Sequence, residues 1–349
     1  MMKIYSFIVL TLSIMISSLS YAGNPPPASP TIIDVTAFIT DIQNLDELNE
    51  QVQVDAILQY EWEDSRLAYD EQKVGKKYQL YQGDFQYDEV YEGWRPQVSI
   101  INEVGSPQIK ERQVRVYPDG HVILKEHRTL TLETPMALQK FPFDKQDLKG
   151  FLIPFGFENS EVQLRVNPKY QILVKDYIRN NPQVDISEWR LKDYKLNVSD
   201  PIKQYYGHSD KISMLTLTIS LDRKPMNIIW KVLLPLTLLV LAMWSIFWMN
   251  KEALSDRLNI SFIGILSVIA YQFLVEGDMP RIDYFTFVDG FLLISFAILF
   301  STIVESLGVY WLVKLNKDKA ARNLDIFFRI IFPIIYVLLI LLLYLILVA

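Results

Sequence analysis

Four long apolar segments fill the last third of the 349-residue chain and constrain its fold more than any other feature. A helix needs about 20 residues, at ~1.5 Å each, to cross the hydrocarbon core of a bilayer. Each segment meets that length, so the pattern predicts a membrane-embedded bundle of four helices. Their predicted bounds are about 228–249, 258–275, 287–313 and 326–348.

The first 22 residues predict a cleaved signal peptide. Lys3 is followed by an apolar stretch, and residues 20–22, Ser-Tyr-Ala, have the small-x-small form of a signal-peptidase site. A further membrane helix is the weaker alternative, because the apolar core is short and a Pro-rich linker follows from Gly23. We therefore expect the mature chain to begin outside the cytoplasm.

Basic residues between the helical segments predict the orientation in the membrane. They are concentrated in the first and third connections, as Lys251, Arg257, Lys314, Lys317, Lys319 and Arg322. The second connection instead carries Arg281 among Glu276, Asp278 and Asp283. By the positive-inside rule, we expect the N-terminal half to be periplasmic and the chain to be a multi-pass membrane protein. The third connection is too short to hold a cytoplasmic enzyme domain.

Between Thr31 and Lys224, short β-branched and aromatic runs alternate with turn signals. Examples of such runs are Val52–Leu58, Gln113–Tyr117 and Met214–Ile219. The Pro-Asp-Gly sequence within 117–121 predicts a tight hairpin turn. Many short strands at regular spacing predict an Ig-like β-sandwich over residues 23–224, followed by the transmembrane domain over 225–349.

The composition excludes several kinds of chemistry. The chain has no cysteine, which rules out disulfides and thiol ligands for zinc. Its net charge is -6 and the exported half has no Lys/Arg block, so nucleic acid is not an expected partner. Neither a Ser/His/Asp pattern nor a Gly-rich phosphate loop occurs. We therefore expect no enzymatic activity, no metal site and no cofactor.

Four short motifs lie in order along the predicted sandwich and its junction with the helices. They are Trp62–Leu67, of the form W-x-D-x-R-L; Trp94–Pro96, followed by Asn102 and Glu103; Phe141–Asp144; and Arg223–Pro225, ahead of Pro235 in the first helix. As an ordered set followed by four helices, they resemble the pentameric ligand-gated ion channels, the Cys-loop receptor family. The resemblance covers nearly the whole predicted mature chain.

The chain departs from the family pattern at three positions. Gln97 stands where Asp is usual, and Thr134 and Leu148 stand where the family's disulfide would lie. In lacking this disulfide, the chain resembles the prokaryotic members of the family. The resemblance implies a homopentamer in a lipid bilayer that a small-molecule agonist or protons open. A periplasmic sensor that signals without conducting ions is the alternative, and a transporter is a weaker one because it usually has more helices.

The second helix is predicted to line the pore. It is the least apolar of the four, with Asn259, Ser261, Ser267 and Gln272. Polar groups in lipid cost several kcal/mol unless they face protein or water. Spacing of four and three residues predicts one pore-lining stripe, formed by Asn259, Ile263, Leu266, Ala270 and Phe273. Packing within a single bundle is the alternative role for this stripe.

Acidic residues at the two ends of this helix are predicted to select inorganic cations. Asp256 precedes Arg257 in the first connection and resembles the acidic-basic pair of cation-selective members. The Pro-Ala insertion of anion-selective relatives is missing. Glu276 is expected to add a second acidic ring at the outer end. For each acid, a solvated helix end is the alternative role.

The resemblance implies a ligand site between subunits, lined by aromatic side chains whose faces attract cations. The residues that match it are Tyr69, Phe155, Phe157, Tyr205 and Tyr206. Ile101 stands where relatives often carry another aromatic. Phe155 and Phe157 could instead belong to the sandwich core. If protons are the stimulus, the candidates to titrate are Glu276, Asp278, Asp283, His121, His127 and His208.

The resemblance also implies a gating interface where the two domains meet. Asp144 and Arg223 are expected to form an ion pair there, beside Phe141, Pro142 and Phe143. The turn at Asp46 and Glu47 and the loop 279–284, with Pro280, are expected to complete it. Trp62 and Trp94 are expected to fill the sandwich core rather than to take part in chemistry.

Overall fold

The computed structural model describes residues 24–170, 188–199, 212–278 and 284–348. The predicted signal peptide, residues 1–22, lies outside these ranges. Within them, the chain forms a two-sheet β-sandwich followed by four long apolar helices. This confirms the predicted fold class, and all four helices are long and apolar enough to cross a membrane.

The described part of the sandwich contains ten strands. They are β1 (Thr31–Asp46), β2 (Gln51–Glu63), β3 (Gln79–Gln82), β4 (Val98–Ile100), β5 (Gln108–Val116), β6 (His121–Glu133), β7 (Lys145–Pro154), β8 (Val162–Val166), β9 (Trp189–Ser199) and β10 (Met214–Arg223). One sheet has the order β3-β5-β6-β2-β1-β8 and the other has the order β4-β7-β10-β9. Strands β1 and β8 pair in parallel, while the other pairs are antiparallel.

The core lies between the two sheets. Alternate residues of β1, from Ile33 to Ile39, are completely buried, and so are Leu217 and Ile219 of β10. Period-two burial on strands of both sheets is the sign of a sandwich whose inner faces interdigitate. Trp62 and Trp94 are 2% and 3% exposed and their rings meet edge to face at 5.8 Å. Their predicted role in core packing is confirmed.

The hairpin turn predicted within residues 117–121 joins β5 to β6. The Tyr117 N–H donates to the His121 carbonyl at 2.9 Å, and Gly120 has a φ of +88°. A Cβ at Gly120 would lie 2.7 Å from the Asp64 carbonyl oxygen, so the turn needs glycine for its conformation and for the close approach. The turn also presents the Pro118 carbonyl to the Tyr69 N–H, at 3.1 Å.

The four helices are α1 (Met226–Trp248), α2 (Leu254–Asp278), α3 (Phe287–Lys314) and α4 (Asp318–Leu347). A π-helical turn, Ile229–Leu233, lies just before Pro235 in α1. It widens the backbone where the proline ring would otherwise crowd the preceding turn.

Two helices extend beyond their predicted bounds. The α2 helix starts at Leu254 rather than 258, and α4 starts at Asp318 rather than 326. Asp256 and Arg257, expected in a loop, therefore belong to the first turns of α2. The apolar run marks only the part of a helix that suits hydrocarbon, and helical hydrogen bonding continues into the charged turns beyond it.

His121 joins two acidic side chains on neighbouring β2. Its Nδ1 lies 2.9 Å from Glu63 Oε1, and its Nε2 lies 3.4 Å from Glu61 Oε2. The hydrogen bond to Glu61 is the largest cause that raises the pKa of His121, to about 9; Glu63 adds to it, and partial burial opposes it.

This pKa gives a pH-dependent contribution to stability. The protonated cluster stabilises the fold fully below about pH 6.5, the ordinary histidine value, and the stabilisation is lost as the pH rises through 9. We expect the free energy of unfolding of wild type to exceed that of His121→Gln by about 1 to 2 kcal/mol near pH 6, after allowance for solvent screening. Near pH 10 the two free energies should differ little. Thermal unfolding in detergent at both pH values measures this, and an equal gap at both would contradict it.

Candidate functional site

The stripe predicted to line a pore lies on one exposed face of α2. Ile263, Leu266 and Phe273 are 58%, 64% and 69% exposed, and Asn259 and Ala270 are exposed as well. Because a helix turns about 100° per residue, spacings of three and four keep these side chains in line. In the single subunit, this face has no covering partner among the described residues.

The opposite face of α2 is packed inside the subunit. Its buried members include Arg257, Ser261, Gly264 and Val268. The Ser261 and Thr302 hydroxyls are hydrogen-bonded at 2.8 Å, which ties α2 to α3. A Cβ at Gly264 would lie 3.0 Å from Met243 of α1, so the helices are in close contact there. The rotation of α2 is therefore set by contacts on the face away from the stripe.

The exposed faces of α2 and α4 differ in polarity. Every exposed side chain of α4 from Ile326 to Leu342 is a hydrocarbon, which suits contact with lipid. The exposed face of α2 carries Asn259, with Ser255 and Asp256 one turn below it. Polar and charged side chains in hydrocarbon cost several kcal/mol. The start of the exposed face of α2 is therefore less suited to lipid than the exposed face of α4, although large apolar side chains follow it from Ile263 to Phe273.

The two predicted selectivity residues lie at the ends of α2. Asp256 is exposed in the first turn, where a negative charge also stabilises the positive end of the helix dipole. Glu276 lies in the last turn, and its side chain is outside the described part of the structure. Arg257, which the sequence predicts to lie among the basic residues of the first connection, is 0% exposed and paired inside the bundle.

Arg223 and Asp144 form a buried ion pair at the junction of the two domains. Arg223 Nε lies 2.7 Å from Asp144 Oδ1, and Nη2 lies 3.3 Å from Oδ2. The two side chains are 3% and 1% exposed. The Gln146 amide also donates to Asp144, at 2.6 Å. The pair that the family resemblance implies is present, and its role in gating stays a prediction.

The Arg223 guanidinium also contacts three other side chains at this junction. Its Nη1 lies 2.9 Å from Glu47, in the turn between β1 and β2 that was expected to join the interface. Its guanidinium also lies over the rings of Phe141, at 4.7 Å, and Trp189, at 4.1 Å. Cation–π contacts of this kind strengthen where water is excluded. One side chain therefore links the ends of β1, β9 and β10 to the loop before β7.

That loop, residues 134–144, touches the helices directly. The Phe143 ring lies edge to face against Phe287 of α3, at 5.4 Å, and against Tyr344 of α4, at 5.7 Å. Pro142 sits between Phe141 and Phe143 after a cis peptide bond. Pro280 lies outside the described residues. The loop packs on the start of α3 and the end of α4, so a shift of the loop reaches both helices.

The Tyr284 side chain makes two hydrogen bonds across this junction. Its hydroxyl accepts from the Leu138 N–H at 3.1 Å and donates to the Met136 carbonyl at 3.2 Å. Nearby, the Phe287 N–H donates to the Gln139 carbonyl at 3.2 Å. Sequence reasoning named Tyr284 only as the end of a loop and missed Phe287 and Tyr344. The sequence did contain one indication of both residues: each is an aromatic residue near a helix end, where aromatic side chains often lie at the membrane–water interface.

The predicted ligand-site aromatics are divided between the two sheets. Tyr69 follows β2 and its hydroxyl donates to the Lys76 carbonyl at 3.2 Å. Phe155 and Phe157 follow β7; Phe155 is 57% exposed, whereas Phe157 packs edge to face on Trp94 at 6.0 Å. Phe157 is therefore part of the core margin. Tyr205 and Tyr206 lie outside the described residues.

The loop carrying Phe155 is tied to the Trp94 motif through the backbone. The Phe155 N–H donates to the Gln97 carbonyl at 2.7 Å. Since this bond uses the main chain, the replacement of the usual Asp by Gln97 does not remove it. The described residues contain no cluster of three or more His, Asp or Glu side chains that could hold a metal ion.

Comparisons with known proteins identify relatives of both domains. A family model described as the neurotransmitter-gated ion-channel ligand binding domain matches residues 16–225. The proton-gated ion channel of Gloeobacter violaceus is 22% identical over 314 residues, which cover 89% of this chain and 82% of that protein.

Two animal receptor subunits are similar over much of the chain as well. The γ-aminobutyric acid receptor subunit rho-2 of Mus musculus is 23% identical over 300 residues, and the subunit gamma-1 of Rattus norvegicus is 22% identical over 302. Each match covers 84% of this chain but only 60% and 61% of the receptor subunit.

Proposed function

Because the chain belongs to the family of pentameric ligand-gated ion channels, we propose that five copies form a cation-selective pore that a small ligand or protons open. This family consists of channels rather than enzymes, in agreement with the activity excluded from the sequence. The observation that carries the proposal is the exposed stripe of α2, which has a polar residue at one end and no covering partner in the described subunit. Five such helices related by rotation would enclose a water-filled path.

Each residue of the stripe would form a ring of five around the axis. Asn259 would form the narrow polar ring at the inner end, and Ile263, Leu266 and Phe273 would form hydrophobic constrictions that gate by excluding water. Asp256 at the inner mouth and Glu276 at the outer mouth would attract cations. We further propose a homopentamer in a bacterial inner membrane, with the sandwich in the periplasm, because basic residues flank the opposite ends of the helices.

The first test is ion selectivity in a planar bilayer. Purified protein under a KCl gradient should give a reversal potential near that of the cation. Asp256→Ala should lower the potassium-to-chloride permeability ratio roughly threefold to tenfold, because a ring of five charges at the mouth is lost. Asp318→Ala is the matched control, since it removes an exposed acidic residue from the first turn of α4. A wild-type reversal potential near that of chloride would reject cation selectivity.

The second test locates the stimulus. We propose that agonist binds between subunits against Tyr69, Phe155, Tyr205 and Tyr206. The names of the relatives provide two probes, γ-aminobutyric acid and a step of external pH, and other small amines complete the set. For an amine, Tyr69→Ala or Phe155→Ala should raise the activating concentration about tenfold at unchanged single-channel conductance, while Tyr69→Phe, which keeps the ring, should change it little. An unaltered response in Tyr69→Ala, Phe155→Ala and Tyr206→Ala would place the stimulus elsewhere.

A further inference from the structure

Three charged side chains from three helices meet in the interior of the bundle, near the start of α2. Arg257 of α2, Glu305 of α3 and Asp325 of α4 are 0%, 2% and 4% exposed. Arg257 Nη2 lies 2.6 Å from Asp325 Oδ1 and donates to the Ile246 carbonyl at 3.2 Å. Arg257 Nη1 lies 3.6 Å from Glu305 Oε2. These three side chains are named here the internal charge cluster.

The internal charge cluster is more acidic than basic. One guanidinium faces two carboxyl groups, and Arg257 Nε and Nη1 and Glu305 Oε1 make no hydrogen bond among the described residues. A buried charge is tolerated only when an opposite charge compensates it. The charge of Arg257 is therefore neutralised within its own subunit, by partners from helices that do not carry the pore stripe.

The cluster also bears on the rotation of α2. Arg257 is two residues from Asn259, which puts it roughly opposite the stripe on a helix that turns about 100° per residue. It continues the buried face formed by Ser261, Gly264 and Val268. Asp256, one residue away, is exposed. With Arg257 held inward, its acidic neighbour is left on the open side of the helix.

We propose that Asp325 and Glu305 are selectivity-determining positioning residues: they hold the charge of Arg257 inside the subunit, so that only the negative charge of Asp256 acts at the inner mouth. This inference rests on the proposed cation-selective pore. Without these partners, the Arg257 side chains of the five subunits would place five positive charges next to the five Asp256 carboxylates and weaken their attraction for cations. Through water at about 8 Å, five such charges would repel a cation by several times RT.

A purely structural cluster predicts a different behaviour. Buried ion pairs often contribute little more to stability than uncharged side chains of similar shape, whereas removal of one partner leaves an uncompensated charge. If the cluster only holds the helices together, its substitutions should change expression and thermal stability without moving the reversal potential. Permeability ratios therefore separate the two roles.

The experiment compares three proteins in a KCl gradient: wild type, the double variant Asp325→Asn/Glu305→Gln, and the triple variant that adds Arg257→Gln. Removal of both acids should lower the potassium-to-chloride permeability ratio by roughly tenfold or more, because the arginine charge is no longer compensated. The triple variant should return the ratio to within about threefold of wild type, since the charge itself is gone. Asp318→Asn, on the exposed start of α4, is the matched control.

The outcomes separate this inference from the function it rests on. A wild-type protein that passes no current, or that prefers chloride, rejects the proposed function before any variant is considered. If wild type selects cations and the double variant has the same potassium-to-chloride permeability ratio, the proposed role of Asp325 and Glu305 is rejected while the proposed channel function stands. If the double variant does not reach the membrane, the triple variant is expected to reach it and to select cations. A triple variant that also fails to assemble overturns the proposal.

Discussion

Leu266→Ser is expected to leave the channel conducting at rest. Leu266 lies midway along the exposed stripe of α2 and is 64% exposed in the single subunit. In the proposed pentamer, five leucine side chains would form a ring that cannot hydrate a passing ion, so the closed pore would be dry there. Serine would supply hydroxyl groups to water at that level, and the conducting state would gain stability relative to the closed state.

The effect should be large because it is repeated five times. Tenfold in an equilibrium constant corresponds to about 1.4 kcal/mol, and each subunit need contribute only a fraction of that for a marked shift. We expect the resting current per unit of surface protein to rise at least tenfold and the activating stimulus to become more potent by about the same factor. Two-electrode recording together with surface labelling measures both quantities in one cell.

Two controls separate a gate from ordinary packing or lipid contact. Val268→Ser changes a residue that is 2% exposed on the opposite face of α2, where a hydroxyl should lower expression without adding leak. Leu341→Ser changes a leucine of α4 that is 51% exposed, on a face suited to lipid. Normal gating in well-expressed Leu266→Ser channels would move the gate to Phe273 or Ile263. An equal leak from Leu341→Ser would reject the pore assignment.

Local patterns predicted the elements of this fold well. Short runs of β-branched and aromatic residues at 52–58 and 214–219 predicted β2 and β10, and the Pro-Asp-Gly sequence predicted the β5–β6 turn, because each signal depends on neighbours in sequence. The helix starts were misjudged for a physical reason. Apolar runs report the thickness of hydrocarbon, and the charged first turns of α2 and α4 are stabilised by contacts between helices.

The contacts between domains could be predicted only in part. The family motifs implied the pair of Asp144 and Arg223, but the motifs contain no sign of Trp189, whose ring completes the site from another strand. Arg257 gave a misleading signal, because a basic residue next to a helix end looks solvent-exposed until its partners on α3 and α4 are known. Partners that are distant in sequence follow from the packing of the whole bundle.

The junction gives a direct structural route from sandwich to pore domain. Arg223 ends β10 and leads into α1, and its partner Asp144 ends the loop whose Phe143 packs on α3 and α4. Movement between the two sheets would therefore change the position of that loop relative to the helices. Because the pair is buried, salt screens it less than it screens an exposed ion pair, so the pair would resist separation if the two domains moved relative to each other.

Arg223→Gln should consequently uncouple the sandwich from the pore. It leaves Asp144, at 1% exposure, without its cationic partner, and removal of one member of a buried pair typically costs about 3–5 kcal/mol. Asp144→Asn should cost less, because Arg223 keeps Glu47 at 2.9 Å. We expect the maximal evoked current per surface subunit to fall at least tenfold in Arg223→Gln, and only partial recovery in Arg223→Lys, which keeps the charge but loses the planar fork.

The matched control is the pair of Arg165 and Asp34 on the sandwich surface. Its geometry is also two-pronged, with contacts of 2.5 and 2.7 Å, but Arg165 is 58% exposed. An exposed pair contributes about 0–1 kcal/mol, so Arg165→Gln should leave evoked current unchanged. The double variant Arg223→Gln/Asp144→Asn should recover part of the current, because it removes the uncompensated charge of Asp144, which is 1% exposed, and leaves only that of Glu47, which is 21% exposed. Equal currents in Arg223→Gln and Arg165→Gln, at equal surface expression, would show that the buried pair stabilises the junction without coupling it to the pore.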